Sequence, residues 1–149
     1  MSVKDQVAVD TCTPADDALA AQWHRLMRDY SRMTCALDRA LGAHGLTSSE
    51  FEVLEQLVRA RTADSGKVRM SDLAEHVHLS QSALSRLVAR LEKDGLATRS
   101  MCESDRRSVF TGITEEGERR YRDARPTQRS VLRAESAECE MRDYLCADD

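Results

Sequence analysis

Residues 80–95 read SQSALSRLVARLEKDG, and this stretch predicts an amphipathic α-helix. Its apolar residues recur at i, i+3, i+4 and i+7, so they share one face of a helix. These residues are Leu84, Leu87, Val88 and Leu91. Ser80 can cap the start of the helix by accepting backbone N–H bonds, and Gly95 can end it in a left-handed turn. Both the buried face and the ends of this helix are therefore predicted from the sequence.

The opposite face of this helix carries short polar and basic side chains. They are Gln81, Ser82, Ser85, Arg86 and Arg90. The first turns contain no carboxylate, which suits a helix whose N-terminal end faces base edges and phosphates. An ordinary solvated surface helix is the alternative, and the preceding segment decides between the two.

The residues before Ser80 predict a second, shorter helix. Residues 71–77 read SDLAEHV and form two turns that Ser71 can cap, and His78 and Leu79 then make a short turn. A helix, a tight turn and a capped second helix form a helix-turn-helix unit.

The residues after this unit predict a β-hairpin. Residues 97–102 and 108–113 are β-prone, with Val109 and Phe110 as strand formers, and they flank a charged tip at 103–107. A hairpin directly after the second helix of a helix-turn-helix unit is a wing.

Four segments resemble, in order, those of the MarR-type multiple-antibiotic-resistance regulators. They read LTSSEFEVLEQL (46–57), MSDLAEHVHLSQSALSRLVARLEKDGLATRS (70–100), DRRS (105–108) and ITEEGERRY (113–121). The resemblance implies a mainly α fold with a small β-hairpin wing, in which a winged helix-turn-helix domain is joined to long dimerisation helices. It also implies a homodimer that binds double-stranded DNA and regulates transcription, more often as a repressor than as an activator.

The resemblance further implies that each subunit lays its recognition helix in one major groove. The residues that would face the groove are Ser80, Gln81, Ser82, Ser85 and Arg86. Glutamine can pair with adenine and arginine with guanine, whereas Arg106 and Arg107 on the wing suit a narrow, A·T-rich minor groove. Asp105 matches the wing carboxylate that pairs with a neighbouring arginine and holds the tip. The expected operator is an inverted repeat with half-sites about 10 bp apart.

Two further arginines leave alternatives open. Arg90 and Arg99 are either phosphate contacts or solvated charges.

The patterns divide the chain into four regions. Residues 1–15 form a flexible arm, 16–46 a first dimerisation helix, 47–113 the winged helix-turn-helix region, and 114–149 a kinked dimerisation helix with an acidic tail. Pro126 should bend or interrupt the last helix, because it removes a backbone donor. The apolar stripe of the first helix comprises Leu19, Trp23, Leu26, Met27, Tyr30, Met33, Leu37 and Leu41. The short acidic C-terminus departs from the family, in which a final apolar helix completes the dimer.

The net charge of −4 is unevenly distributed. Residues 1–20 carry one lysine against four aspartates, and residues 135–149 carry one arginine against six acids, which leaves +4 for residues 21–134. Acidic ends on a mildly basic body are compatible with phosphate binding, because the local field decides. We expect DNA affinity that falls steeply with salt.

The composition fits one soluble helical domain, with 41% apolar and 32% charged residues. No run approaches the roughly 18 apolar residues of a membrane span, and the N-terminus has no secretory signal. We therefore expect a cytoplasmic protein without a membrane partner. The five cysteines form no CxxC pair, which argues against a disulfide scaffold.

Other function classes have weaker support in the sequence. There is no glycine-rich phosphate loop and no nucleophile elbow, so neither an enzyme nor a cofactor is predicted. His76 and His78 do not converge on one helix face, so no metal site is predicted. The alternative function is a winged-helix module that binds protein rather than DNA, against which the carboxylate-free helix start and the Arg106-Arg107 tip speak.

A small aromatic or phenolic ligand is the first candidate signal. It would lie between the dimerisation helices and the winged region, near Trp23, Met27, Tyr30 and Phe51, for which plain core packing is the alternative. A urate-sensing branch of the family uses a first-helix tryptophan, an aspartate that opens the third helix, and a wing arginine. Trp23, Asp72 and Arg106 could correspond to these.

Thiol oxidation is the second candidate signal. The peroxide-sensing branch carries a reactive cysteine near the start of its first helix. In this chain Cys12 lies just ahead of the predicted start of that helix, and Cys35 lies well inside it. Cys102 lies at the wing base beside Arg99 and Arg106, whose positive charge would lower its pKa. Oxidation there would move the wing off DNA, and inert cysteines are the alternative.

Overall fold

A computed structural model describes residues 11–63 and 66–137 of the chain. These residues form five α-helices, one short 3-10 helix and three strands. The helices are α1 (Pro14–Leu41), α2 (Ser48–Ala63), α3 (Met70–His76), α4 (Gln81–Lys93) and α5 (Glu115–Ser136), with the 3-10 helix at Gly42–His44. The strands are β1 (Lys67–Arg69), β2 (Ala97–Met101) and β3 (Val109–Ile113). The mainly α class with a small sheet is confirmed.

The three strands form one antiparallel sheet in the order β1-β3-β2. Thr111 in the middle of β3 lies opposite Val68 of β1 and Arg99 of β2. The predicted hairpin is therefore present, and the short strand β1, which contains Val68, pairs with β3 as the third strand. This arrangement makes the wing a continuation of the helix-turn-helix unit, because β1 leads directly into α3.

Polar side chains cap the predicted helix starts, with one exception. Ser80 accepts from the Ala83 N–H at the start of α4, and Thr114 accepts from the Gly117 N–H at the start of α5. Ser71, which the sequence suggested as the cap of α3, lies inside that helix. The helix begins one residue earlier, because the backbone leaves strand β1 at Arg69, whose side chain makes no cap.

The first helix begins at Pro14, two residues before the predicted start. Thr13 caps it in a reciprocal capping box with Asp16, and proline is well suited to the first helical position. Residues 1–10 of the predicted arm lie outside the described residues, as does the acidic tail from residue 138 onward.

Proline 126 does not interrupt the last helix, which runs from Glu115 to Ser136. The ring faces solvent, whereas Ala124 and Gln128 on either side are buried. Packing on both sides thus keeps the helix continuous despite the missing backbone donor.

The core lies where α1, α2, α4 and α5 meet the base of the sheet. The predicted stripe of α4 is buried along its whole length, with Leu84 and Val88 fully inaccessible. In α1 only the C-terminal part of the stripe, from Met33 to Leu41, belongs to the core. The N-terminal part is exposed: Leu19 at 63%, Trp23 at 58%, Met27 at 44% and Tyr30 at 58%.

The start of α5 is locked to the end of α4. Gly95 ends α4 with φ of +75°, and its carbonyl accepts from the Thr114 hydroxyl at 2.7 Å. A Cβ on Gly117 would lie 2.0 Å from the carbonyl oxygen of Leu96, so only glycine fits at this position. The end of α4 is therefore attached to the start of α5, so a shift of α4 would also shift α5.

Among the described residues, no helix is both long enough and apolar enough to cross a membrane.

Candidate nucleic-acid interface

The solvent-facing side of α4 carries the polar residues that the sequence assigned to a DNA groove. Gln81, Ser82, Ser85, Arg86 and Arg90 are all exposed. The first turn of α4 contains no acidic residue, and the positive end of the helix dipole favours an approaching phosphate. Arg86 has no carboxylate partner among the described residues, so its guanidinium is available to an external acceptor.

The Ser80 side chain is engaged at the start of α4. Its Oγ accepts from the Ala83 N–H at 3.2 Å and lies 3.3 Å from the Ser82 Oγ. Ser80 thus sets the direction of the first helical turn, while Ser82, Gln81 and Ser85 present the outward polar groups.

The two arginines with open alternatives each form an ion pair, Arg90 with a buried glutamate and Arg99 with an exposed one. The Arg90 Nε lies 3.6 Å from the Glu50 Oε1, and the Arg99 Nε lies 3.1 Å from the Glu92 Oε2. Glu50 also accepts from the Thr47 N–H in the capping box of α2. The exposed pair of Arg99 stabilises by at most about 1 kcal/mol, and both pairs reduce the charge that Arg90 and Arg99 offer to phosphates.

Asp105 holds the wing tip through hydrogen bonds rather than through an arginine side chain. Its Oδ1 accepts from the Arg107 N–H at 3.0 Å and its Oδ2 from the Ser108 hydroxyl at 2.9 Å. The backbone N–H of Arg107 is the main cause that lowers the pKa of Asp105, the Ser108 hydroxyl follows, and Arg69 adds a smaller charge effect. The predicted stabilising role fits, but the predicted arginine partner is wrong.

An open cleft of about 540 Å³ separates α4 from the wing. Gln81, Ser82 and Ser85 line its helical wall, and the guanidinium groups of Arg69, Arg99 and Arg107 lie on the strand side. The two arginines of the tip, Arg106 and Arg107, are both exposed. The structure therefore brings Gln81, Ser82 and Ser85 of the predicted groove face to one cleft with Arg107 of the predicted wing, whereas Ser80, Arg86 and Arg106 do not line it.

Arg69 is a member of this surface that the sequence analysis missed. It ends β1, and its guanidinium carbon lies 5.5 Å from the centre of the Phe110 ring on β3. This cation–π contact orients the side chain beside the cleft. Val68, a β-branched residue next to Arg69, was the available signal in the sequence, because residues of a strand point alternately to its two faces.

The four predicted ligand residues do not form one site in the chain. Trp23, Met27 and Tyr30 lie exposed on α1, whereas Phe51 is completely buried. The Phe51 ring packs against Tyr121 with 5.2 Å between ring centres. Phe51 is therefore packed in the core of the single chain, which agrees with the alternative of plain core packing.

Asp72 lies in the first turn of α3 and is exposed. It borders a cleft of about 360 Å³ whose described walls come from α2, β1 and α3. Neither Trp23 nor Arg106 lines that cleft, so the three residues matched to the urate-sensing branch are not brought together.

Three candidate redox cysteines have different surroundings. Cys12 and Cys35 are exposed, and Cys102 is partly buried. The Cys102 Sγ lies 3.0 Å from the Ser104 Oγ, and this hydrogen bond lowers the pKa of the thiol. The predicted direction is thus correct, but the predicted cause is not, because the hydroxyl and backbone of residues 104–105 act instead of arginine.

The chain is similar to known transcriptional regulators in sequence. The family model described as the MarR family matches residues 46–109. BadR, a transcriptional activatory protein of Rhodopseudomonas palustris, is 33% identical over 118 residues, which cover 78% of this chain and 66% of BadR. The chain thus spans about two thirds of the length of the curated relatives that it matches.

Solved structures give the same result for the fold. AbsC, a MarR family transcriptional regulator from Streptomyces coelicolor, is 29% identical with a TM-score of 0.71, and the match covers 87% of this chain and 84% of AbsC. Sco3205 from the same organism was solved in complex with DNA. It is 27% identical with a TM-score of 0.73, over 88% of this chain and 79% of Sco3205. These relatives are regulators and not enzymes.

Proposed function

The chain belongs to the MarR family of transcriptional regulators, and from this premise we propose that it is a homodimeric DNA-binding repressor. One observation carries the proposal: Gln81, Ser82 and Ser85 of α4, whose first turn has no carboxylate, border a single open cleft with Arg69, Arg99 and Arg107. A convex helix beside a basic finger matches the major groove of duplex DNA and its neighbouring phosphates. Sco3205, to which this chain is similar, was solved in complex with DNA, and this supports DNA binding.

Base contacts and backbone contacts fall on different residues in this proposal. Gln81 and Arg86 read base edges, Ser82 and Ser85 approach the groove wall, and Ser80 keeps the helix start in place. Arg106 and Arg107 enter the flanking minor groove or bind its phosphates, where negative potential attracts arginine. Asp105 keeps the tip folded for this contact.

The exposed apolar part of α1 supports the homodimer. Leu19, Trp23, Met27 and Tyr30 share one face of the helix and remain accessible in the single chain. A contiguous exposed apolar surface of this kind marks an interaction site. A second copy that covers it presents two recognition helices to an inverted repeat whose half-sites lie about 10 bp apart.

Repression follows if the bound dimer excludes polymerase from a promoter. BadR is an activatory protein, so the position of the operator relative to the promoter sets the sign of regulation. Reporter expression with and without the regulator measures that sign. Higher expression in its absence is the expected result, and lower expression would contradict repression.

Selection from a pool of randomised duplexes tests the DNA contacts. We expect the chain to enrich an inverted repeat, and Arg86→Ala to relax the preference at one position per half-site at a cost of about 1–3 kcal/mol. Arg119→Ala is the matched control, because Arg119 pairs with Glu116 on α5, away from the cleft. Identical enrichment by wild type and Arg86→Ala would disprove the assignment of the recognition face.

A small aromatic or phenolic ligand is one proposed releasing signal. In the proposed dimer Trp23, Met27 and Tyr30 lie at the interface of the two copies, so the ligand would contact them there. Trp23 is the single tryptophan of the chain. A titration with phenol that quenches this fluorescence and lowers operator affinity supports a site on α1. Unchanged fluorescence and unchanged operator binding would exclude a ligand site on α1.

Oxidation of Cys102 is the other proposed signal. The thiolate attacks one oxygen of hydrogen peroxide, the O–O bond breaks, hydroxide leaves, and the sulfur becomes a sulfenic acid. The added oxygen would disturb the 3.0 Å contact between Cys102 and Ser104 at the wing base. We expect peroxide to release operator DNA from wild type and Cys35→Ser but not from Cys102→Ser. Equal release from all three would exclude both thiols.

A further inference from the structure

The ion pair between Arg99 and Glu92 joins the base of the wing to the recognition helix. Arg99 lies in β2, opposite the fully buried Thr111 of the central strand β3, and Glu92 lies in the last turn of α4. The Arg99 Nε donates to the Glu92 Oε2 at 3.1 Å. The pair therefore ties the arginine side chain to both elements of the proposed DNA-binding surface.

Only the Nε of the Arg99 guanidinium takes part in this pair. The terminal nitrogens, Nη1 and Nη2, make no hydrogen bond within residues 11–63 and 66–137. Both of these nitrogens carry N–H donors, and an arginine has no acceptor. The pair with Glu92 thus lowers the net charge at Arg99 but leaves the donors at the end of the side chain available.

The Arg99 side chain is also more confined than the arginine of a plain surface pair. It is 33% exposed, against 68% for Arg119, which pairs with Glu116 on α5. A side chain that is held in one orientation before binding loses less conformational freedom when it binds. Glu92 thus preorganises Arg99 for an external acceptor.

The cleft between α4 and the wing is where a DNA strand passes in the proposed function. A recognition helix in the major groove and a wing in the adjacent minor groove leave one sugar–phosphate strand between them. Arg99 lines this cleft on the side of the sheet, and Ser82 and Ser85 line it on α4. Among the described residues no carboxylate lines the cleft, so Glu92 holds the arginine from outside it.

We propose that Arg99 binds a phosphate of this strand through its terminal nitrogens and that Glu92 is its positioning residue. The inference rests on the proposed DNA-binding function, and it assigns Arg99 to one of the two roles that the sequence left open. An arginine can hold two oxygens of one phosphate through parallel hydrogen bonds. Its partner is thus a phosphodiester of the strand that separates the two grooves.

Substitution of Arg99 tests the phosphate contact in duplex binding by the full chain, measured by fluorescence anisotropy across salt. Arg99→Ala should weaken binding to selected and scrambled duplexes alike, by about tenfold, and reduce the salt slope by about one. Arg99→Lys should keep the slope and recover only part of the affinity, because lysine cannot bind in the bidentate manner. Loss of sequence preference with an unchanged slope would assign Arg99 to a base and overturn the phosphate contact.

Two substitutions of Glu92 separate positioning from charge. Glu92→Ala removes both the charge and the acceptor for the Arg99 Nε, whereas Glu92→Gln removes the charge but keeps a carbonyl oxygen that can accept. We expect Glu92→Ala to weaken duplex binding by about threefold and Glu92→Gln to restore most of that loss. If Glu92 only repels DNA, both variants will bind more tightly than wild type, and that result would overturn the positioning role.

Glu116→Ala is the matched control for Glu92→Ala. The Glu116 side chain is 43% exposed and that of Glu92 is 42% exposed, and Glu116 pairs with an arginine away from the cleft. The control should bind the duplex like wild type. In an Arg99→Ala background, Glu92→Ala should have no further effect, because the residue that it positions is absent. A further loss of the same size would mean that Glu92 acts by another route and would overturn the inference.

The wild-type measurement separates this inference from the function on which it rests. Saturable binding of a selected duplex by wild type, with the same affinity and salt slope in Arg99→Ala, would leave the regulator function in place and overturn the phosphate contact. Absence of duplex binding by wild type would overturn both.

Discussion

Helices α1 and α4 both carry an apolar stripe at helical spacing, yet the chain covers them differently. The stripe of α4 is buried from Leu84 to Leu91, and its polar side faces solvent. The stripe of α1 is buried only from Met33 onward, and its apolar side is exposed over the N-terminal half. The spacing of apolar residues therefore identifies which face of a helix is apolar, but it does not identify which partner covers that face.

This difference predicts that similar truncations in the two helices lower the free energy of unfolding by very different amounts. Leu84 is completely buried, so Leu84→Ala should lower the free energy of unfolding by about 2–5 kcal/mol through a lost contact and a cavity. Leu19→Ala on α1 should change the unfolding of the dilute chain by less than about 0.5 kcal/mol. Urea denaturation at low protein concentration measures both. Equal losses would mean that α1 is covered within its own chain.

The exposed half of α1 should matter for association instead. Trp23→Ala should weaken the dimer by about 2 kcal/mol, the size of effect seen when a central aromatic anchor is removed. Sedimentation equilibrium measures the dissociation constant, and Arg28→Ala on the same helix, which is exposed and pairs with Asp29, is the matched control. A chain that stays dimeric with Trp23→Ala would place the interface elsewhere.

The polar side of α4 and the wing tip should contribute to DNA binding in different ways. Arg107→Ala should weaken binding to all duplexes by a similar amount, about 1 kcal/mol at moderate salt, and reduce the salt slope by about one. Arg86→Ala should instead change the preferred sequence. Fluorescence anisotropy with selected and scrambled duplexes separates the two. Loss of sequence preference in Arg107→Ala would reverse the assignment of base and backbone contacts.

The smallest expected effect is that of acid pH on the hydrogen bonds by which Asp105 stabilises the wing tip. The bond from the Arg107 N–H lowers the pKa of Asp105 in the folded chain below its unfolded value. The stabilisation is therefore present above the unfolded pKa and is lost as pH falls through the folded pKa. The amide signal of Arg107 in NMR spectra should shift with that acid titration. In Asp105→Asn the shift should disappear, and its persistence would assign it to another group.

The sequence predicted those features that depend on neighbours along the chain. The cap at Ser80, the left-handed Gly95, the buried stripe of α4 and the hairpin around 103–107 are all local, and the structure contains each of them. A helix cap and a glycine in a left-handed turn each depend on a few neighbouring residues, so they can be recognised from the sequence without the fold.

Features that depend on distant segments were not predictable in the same way. The contact of Arg69 with Phe110 joins β1 to β3, and the pair of Arg90 with Glu50 joins α4 to α2. A cleft between α2 and α5 is lined by Val58 and by arginines more than sixty positions later in the chain. No spacing rule connects such residues, because only the packing of α2 against α5 brings them together.

The expected cap at Ser71 and the expected cause of the low Cys102 pKa were wrong, and Pro126, which was expected to bend or interrupt α5, does not interrupt it. Strand β1 runs directly into α3 and moves its start to Met70. Burial of Ala124 and Gln128 keeps α5 continuous. The Ser104 hydroxyl, rather than the nearby arginines, sets the thiol pKa of Cys102. The causes at α3 and Cys102 are local, whereas the continuity of α5 accompanies burial against other elements.

The most direct test of the central claim is the salt dependence of duplex binding by the full chain. We predict that the logarithm of the association constant falls linearly with the logarithm of salt concentration between about 50 and 200 mM, with a slope of about −0.9 for each phosphate neutralised. Saturable binding of a selected inverted repeat with such a slope supports a recognition helix and wing that bind DNA. Absent binding, or affinity that does not change with salt, would contradict it and favour a winged helix that binds protein.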